Sequence, residues 1–129
     1  MAKGPLVDRL ASRGRKLVEF ADAAKLNIRS ALWLYRSEPD DWVLMIVVPE
    51  VSDRGPREVY KKVQRVFASH RGELNPLKLD DVVVAGPDDP LIQLLRTALQ
   101  TGPGISEIRF SQNRINNTLI EDALIYRLQ

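Results

Sequence analysis

Four carboxylates fall where two strand–helix junctions would put them. Glu50 and Asp53 follow the apolar run Trp42 to Pro49, and Asp88 and Asp89 follow the run Val82 to Gly86. If the two runs are parallel neighbours in one sheet, the acids gather outside the carboxyl ends of the strands, where open α/β sheets bind ligands. Carboxylates and water suffice to hold Mg²⁺, which would there support phosphoryl transfer or hydrolysis. The structural alternative is capping. Pro90 suits the first position of a helix, which makes Asp89 its N-cap, and Asp53 and Asp88 then sit near helix N-termini. Pro39-Asp40 followed by Glu50-Val51-Ser52 has the carboxylate order of a metal-dependent nuclease motif. Ser52 stands where that motif needs lysine. Asp40 and Glu50 also flank one strand, roughly 33 Å apart in extended geometry, too far to share an ion.

Other catalytic chemistries lack their residues. There is no cysteine, which removes disulfides, thiolate metal sites and cysteine nucleophiles together. His70 is the one histidine, so a multi-histidine metal site within the chain is excluded. It falls in the last turn of a helix, where an imidazole bonds the final carbonyls. As a general base it would need a nucleophile, and no Gly-x-Ser-x-Gly elbow supplies one. Gly102-Pro103-Gly104 leaves a helix without a following Gly-Lys-Ser/Thr and is not a phosphate loop.

Two further sets point to binding. Arg57, Lys61, Lys62 and Arg65 decorate the exposed side of a helix over 56–71, with Glu58 the only acid among them. Lys3, Arg9, Arg13, Arg15 and Lys16 decorate a helix over 5–25. Two basic helices can track a phosphate backbone, although no helix-turn-helix, RNP-type strand, zinc finger or Gly-x-x-Gly clamp accompanies them. Trp33, Tyr35 and Trp42 form an aromatic set, with Trp33 and Tyr35 on one face of a strand. Apolar sheet area that the helices leave uncovered would make this set a partner surface; under the helices it would be core.

The elements that position these groups follow from periodicity and punctuation. Leu6, Val7, Leu10, Leu17, Val18, Ala21 and Ala24 recur at helical spacing. Gly14 interrupts that face at a cost of about 1 kcal/mol against alanine, which a close approach of another backbone would offset. Residues 28–36 and 42–49 read as strands joined by the Pro/Asp-rich turn 37–41 into an antiparallel hairpin. The second is apolar on both alternations, which predicts burial on both faces. The helix over 56–71 opens at Pro56 and stops at Gly72. A strand over 79–86, a helix from Pro90 to Gly102, and strands over 105–111 and 118–128 complete the chain. A hairpin centred on Ile115 would set Arg109 opposite Glu121 and Phe110 opposite Ile120.

The order α-β-β-α-β-α-β-β predicts an α/β (α+β) fold: a mixed five-stranded sheet packed with three helices, strands two, three and four parallel. The 129 residues, 44% apolar and 28% charged, suit a single domain over 1–129. No apolar segment follows the initial Met-Ala-Lys-Gly-Pro, and the longest apolar run is far short of a membrane span. A cytoplasmic protein without membrane contact is therefore expected. Net charge is +2, with the basic excess concentrated in the first thirty residues. With catalytic constellations missing, the leading expectation is a protein that acts by association, as a homo-oligomer, an adaptor or a regulatory subunit, with no cofactor. A nucleic-acid-binding module using helices 5–25 and 56–71 is the alternative. A metal-assisted phosphoryl-transfer or hydrolytic enzyme comes next, and only that reading calls for Mg²⁺.

Overall fold

A computed structural model describes residue 6 and residues 8–129. Helix α1 spans Asp8–Ala23, strand β1 Ser30–Arg36 and strand β2 Asp41–Val47. Helices α2 (Pro49–Arg54), α3 (Arg57–Ser69) and α4 (Arg71–Leu74) follow, then a turn of 3₁₀ helix over Leu79–Asp81 and strand β3, Val82–Ala85. Helix α5 (Pro90–Ala98), β4 (Ile108–Ile115) and β5 (Thr118–Leu128) complete the fold. The expected start of the first helix at residue 5, and Lys3 and Val7 with it, lie outside the described residues.

The five strands form one mixed sheet in the order β3-β2-β1-β5-β4. Only β2 and β3 are parallel; every other neighbouring pair is antiparallel. Strand β4 therefore does not join β3, as the crossover reading expected, but forms the opposite edge beside β5. The reason is polarity. Arg109 and Ser111 occupy one alternation of β4 and are exposed, and such a strand cannot be buried on both faces.

Strand β2 does sit inside the sheet, with its residues divided between two cores. Leu44 and Ile46 join Trp33, Leu124 and Tyr126 beneath α1 and α3, which contribute Leu17, Val18, Val59 and Val63. Val43, Met45 and Val47 join Leu32, Ala123 and Ile125 on the other face, beneath Ile92 and Leu95 of α5. Two long helices thus cover one face and one nine-residue helix the other.

Local chemistry sets the boundaries. Pro49 stands at the start of α2, and Gly55, at φ 81°, ends it. This short helix replaces the loop expected after the second strand. His70, at φ −133° and ψ 35°, leaves the helical region and splits the expected helix 56–71 into α3 and α4; Gly72 lies inside α4 and stops nothing. Asp89 caps α5 as anticipated, accepting from the backbone N–H groups of Leu91 at 2.9 Å and Ile92 at 3.2 Å.

The β4–β5 hairpin turns at Asn116-Asn117, both with positive φ (47° and 69°). That is a two-residue turn of the primed kind, and it moves the register. Arg109 lies opposite Leu124 and Phe110 opposite Ala123, instead of Glu121 and Ile120. Gln112, at φ 50°, interrupts the ladder between Ser111↔Asp122 and Asn113↔Ile120. A break of this kind changes which side chains share a face. Beyond it, Ile115 and Ile120 pack with the α5-side core.

Candidate functional site

The carboxyl ends of β2 and β3 lie side by side, and the chain leaves them toward opposite faces, to α3 and to α5. This is the kind of crevice that binds ligands in open α/β sheets. Its acids are nonetheless engaged separately. Glu50 Oε1 accepts from Lys62 Nζ at 2.7 Å, Asp88 Oδ1 accepts from Ser52 Oγ at 2.7 Å, and Asp89 is the cap of α5. Asp53 is exposed. Buried Gly86 lets Ser52 and Asp88 meet: a Cβ there would stand 2.3 Å from Ser52 Oγ and 2.7 Å from Asp88 Oδ1. Among the described residues no group of three His, Asp or Glu side chains is placed to hold a metal.

The basic residues of α3 divide in two. Arg57, Lys61 and Arg65 recur every four residues and are exposed, so they form one row along the helix. Lys61 lies 3.5 Å from Glu58. Lys62 faces α2 through Glu50. Arg65 has no hydrogen bond or ion pair among the described residues. On α1, Arg13 donates to the carbonyl of Asn75 at 3.0 Å and Arg15 pairs with Glu107 at 2.9 Å. These two cations tie α1 to its neighbours.

A groove of about 330 Å³ separates the C-terminal halves of α1 and α3. His70 lines it, with its ring stacked on Phe20 at 3.7 Å and 4° and its Nδ1 3.2 Å from Glu73 Oε2. The histidine that the sequence placed among helix-end carbonyls is thus an aromatic wall at a helix junction.

The aromatic set separates by depth. Trp33 is 1% exposed beneath α1 and donates from Nε1 to the Tyr126 hydroxyl at 3.1 Å. Tyr35 and Trp42 are half-buried and face each other across β1 and β2, with ring centroids 5.6 Å apart at 59°. The Arg109 guanidinium lies over Trp42 at 5.7 Å. It also forms a bidentate pair with Asp122 at 2.7 and 2.6 Å, and Ser111 Oγ donates to the same carboxylate at 2.7 Å. Fork-shaped pairs of this kind are the strong ones, and this one raises the Arg109 pKa above its ordinary value. Tyr35 donates to Asp40, and that hydrogen bond, with desolvation second, pushes its phenol up to about 12.

No known protein family, curated protein or solved structure matches this chain.

One feature was not visible in residue types. On the α5 side, a groove of about 490 Å³ runs between the end of β1, the first turn of α5 and the tip of the β4–β5 hairpin. Leu34, Tyr35, Leu91, Leu119 and Ile120 line it. Leu119 is 44% exposed, and no other large hydrophobic side chain among the described residues is exposed. The available signal was the Asn116-Asn117 turn, which sets Leu119 two residues into the returning strand.

Proposed function

We propose that this protein acts by association with another protein, in the first instance a second copy of itself, through the sheet end that carries Leu119. The observation that carries this reading is an exposed leucine at a hairpin tip beside a groove whose lining includes Leu34, Leu91 and Ile120 among polar side chains. A protruding apolar side chain and a groove on one surface are self-complementary, and two-fold symmetry lets each copy seat its leucine in the other. Arg36, Glu38 and Glu121 place both signs of charge on the rim, which favours register over repulsion. Half-buried Tyr35, which lines this groove, is a residue type that anchors interfaces.

Strand addition is a weaker route. Strand β3 is four residues long, and β4 carries Arg109, Arg114 and the break at Gln112, all devices that blunt an edge. Among the described residues no helix is long and apolar enough to cross a membrane; a cytoplasmic setting belongs to the same proposal.

Sedimentation equilibrium tests it. The wild type is expected to dimerise at tens of micromolar, and Leu119→Glu to be monomeric with an unchanged circular dichroism spectrum. A wild type monomeric throughout, or a dimer indifferent to Leu119→Glu, removes this surface from consideration.

A second reading rests on the row Arg57, Lys61 and Arg65. As a nucleic-acid contact it predicts affinity that falls steeply with salt, and similar weakening across sequences when the row is neutralised. Anisotropy with single-stranded and duplex DNA and RNA at low and physiological salt decides it: no binding at low salt refutes it.

A further inference from the structure

The groove between α1 and α3 combines three features, of which only the charge of Arg65 enters a reading above. The first is charge. Of its polar lining, Lys62 is held by Glu50 and His70 faces Glu73. Arg65 alone is a full charge with no ion pair among the described residues. The second is donor geometry. Ser69 follows Arg65 by one helical turn, so hydroxyl and guanidinium stand on the same side of α3. A guanidinium fork plus a hydroxyl matches the oxygens of a phosphate monoester. The third is shape. Phe20 and His70 stack on each other within 4° of parallel and, with Ala24, Leu26 and Val66, supply the aromatic and apolar part of the lining. A volume of about 330 Å³ stands at the small end of the range for ligand sites, sized for one small molecule.

We infer that this groove binds a nucleotide, its phosphate held by Arg65 and Ser69 and its base lying against the Phe20–His70 wall. Cation and aromatic wall recognise different halves of one ligand. The combination therefore favours a base joined to a phosphate over either alone. A free mononucleotide and the phosphorylated end of a single strand share that chemistry.

The test is an amide NMR titration of the full chain with AMP, adenosine, inorganic phosphate and a 5′-phosphorylated oligonucleotide. AMP is expected to give saturable shifts confined to residues 20–26 and 62–70. Adenosine and phosphate separately bind at least about tenfold more weakly. Arg65→Gln loses about tenfold in AMP affinity, Arg65→Lys recovers part of it, and neither changes the thermal midpoint of the free protein. An oligonucleotide that binds more tightly than AMP assigns the site to a strand end; one that binds more weakly assigns it to the free nucleotide. No saturable shift by about 10 mM AMP, shifts centred elsewhere, or an Arg65→Gln variant that binds like the wild type overturns the inference. None of these results depends on the dimer surface at Leu119.

Discussion

Gly14→Ala is expected to destabilise the protein, against the ordinary preference of helices for alanine. Gly14 is buried in the middle of α1. A Cβ there would stand 2.5 Å from Trp33 Nε1, 2.7 Å from the Tyr126 hydroxyl and 3.1 Å from Tyr126 Cε2. Neither ring can easily retreat. Trp33 is 1% exposed and Tyr126 0%. They are joined through Nε1 and the hydroxyl, which in turn donates to the Ala11 carbonyl of α1 itself. The methyl therefore has to displace a hydrogen-bonded chain that ties β1 and β5 to the helix. Overpacking a core typically costs about 1–3 kcal/mol and a weakened buried hydrogen bond about 1 more, while alanine returns about 1 kcal/mol of helix propensity. The net expectation is a loss of about 1–3 kcal/mol.

Urea unfolding reads this directly, as a lower midpoint at unchanged slope. A thermal midpoint should fall by about 3–6 °C per kcal/mol in a chain of this size. Gly72→Ala is the control: it is exposed in α4, and an added Cβ there meets no atom within 4 Å. It should leave stability unchanged or slightly raised. Combining Gly14→Ala with Tyr126→Phe removes the atom at 2.7 Å, and the two changes should then cost less together than the sum of their separate effects. A Gly14→Ala protein as stable as the wild type would refute the packing account, and additive effects would refute its assignment to the Tyr126 hydroxyl.

Three further outcomes follow from the same geometry. Arg127 is buried and donates to both oxygens of Asp22 at 3.0 and 2.8 Å, to Ile28 O at 3.0 Å and to Gly104 O at 3.2 Å. Arg127→Met should therefore cost about 2–4 kcal/mol and speed hydrogen exchange over residues 24–29. Tyr35 should ionise near pH 12 in the folded protein, because the bond to Asp40 stabilises the neutral phenol. Its contribution to stability is complete below the ordinary tyrosine value of 10 and is lost as pH rises toward 12. Asp40→Asn should move its tyrosinate absorbance step downward; an unmoved step contradicts the assignment. At the hairpin, Asn117→Gly should raise stability by about 0.5 kcal/mol and Asn117→Val lower it by about 1–2, because only the first accepts positive φ freely.

The sequence is most legible where one physical requirement acts over a short span. Strand β2 shows its burial because apolar residues on both alternations have no other use, and Asp89-Pro90 shows a helix start because cap and first position are adjacent. It is least legible where the deciding partner is distant in the chain. Gly14 leaves open whether another backbone approaches α1 or the helix merely tolerates it, and the fold brings neither a backbone nor empty space but the rings of Trp33 and Tyr126. Tyr126 arrives from β5, at the far end of the chain, beside a register shift opposite Ala31/Leu32 that no local pattern encodes. The candidate sites divide the same way. The row Arg57, Lys61 and Arg65 could be read from helical spacing. The separate engagement of Glu50 by Lys62, Asp88 by Ser52 and Asp89 by its own helix depends on how three segments dock at one sheet edge. Carboxylates that are close in sequence and topology thus remained apart in chemistry. Leu119 runs the other way: an unremarkable leucine in an alternating strand becomes the exposed side chain at a groove because Gln112 breaks the ladder. Backbone irregularities such as that break and the turn at Asn116-Asn117 decide which side chains reach the surface together, and they are where the surface proposed for association is made.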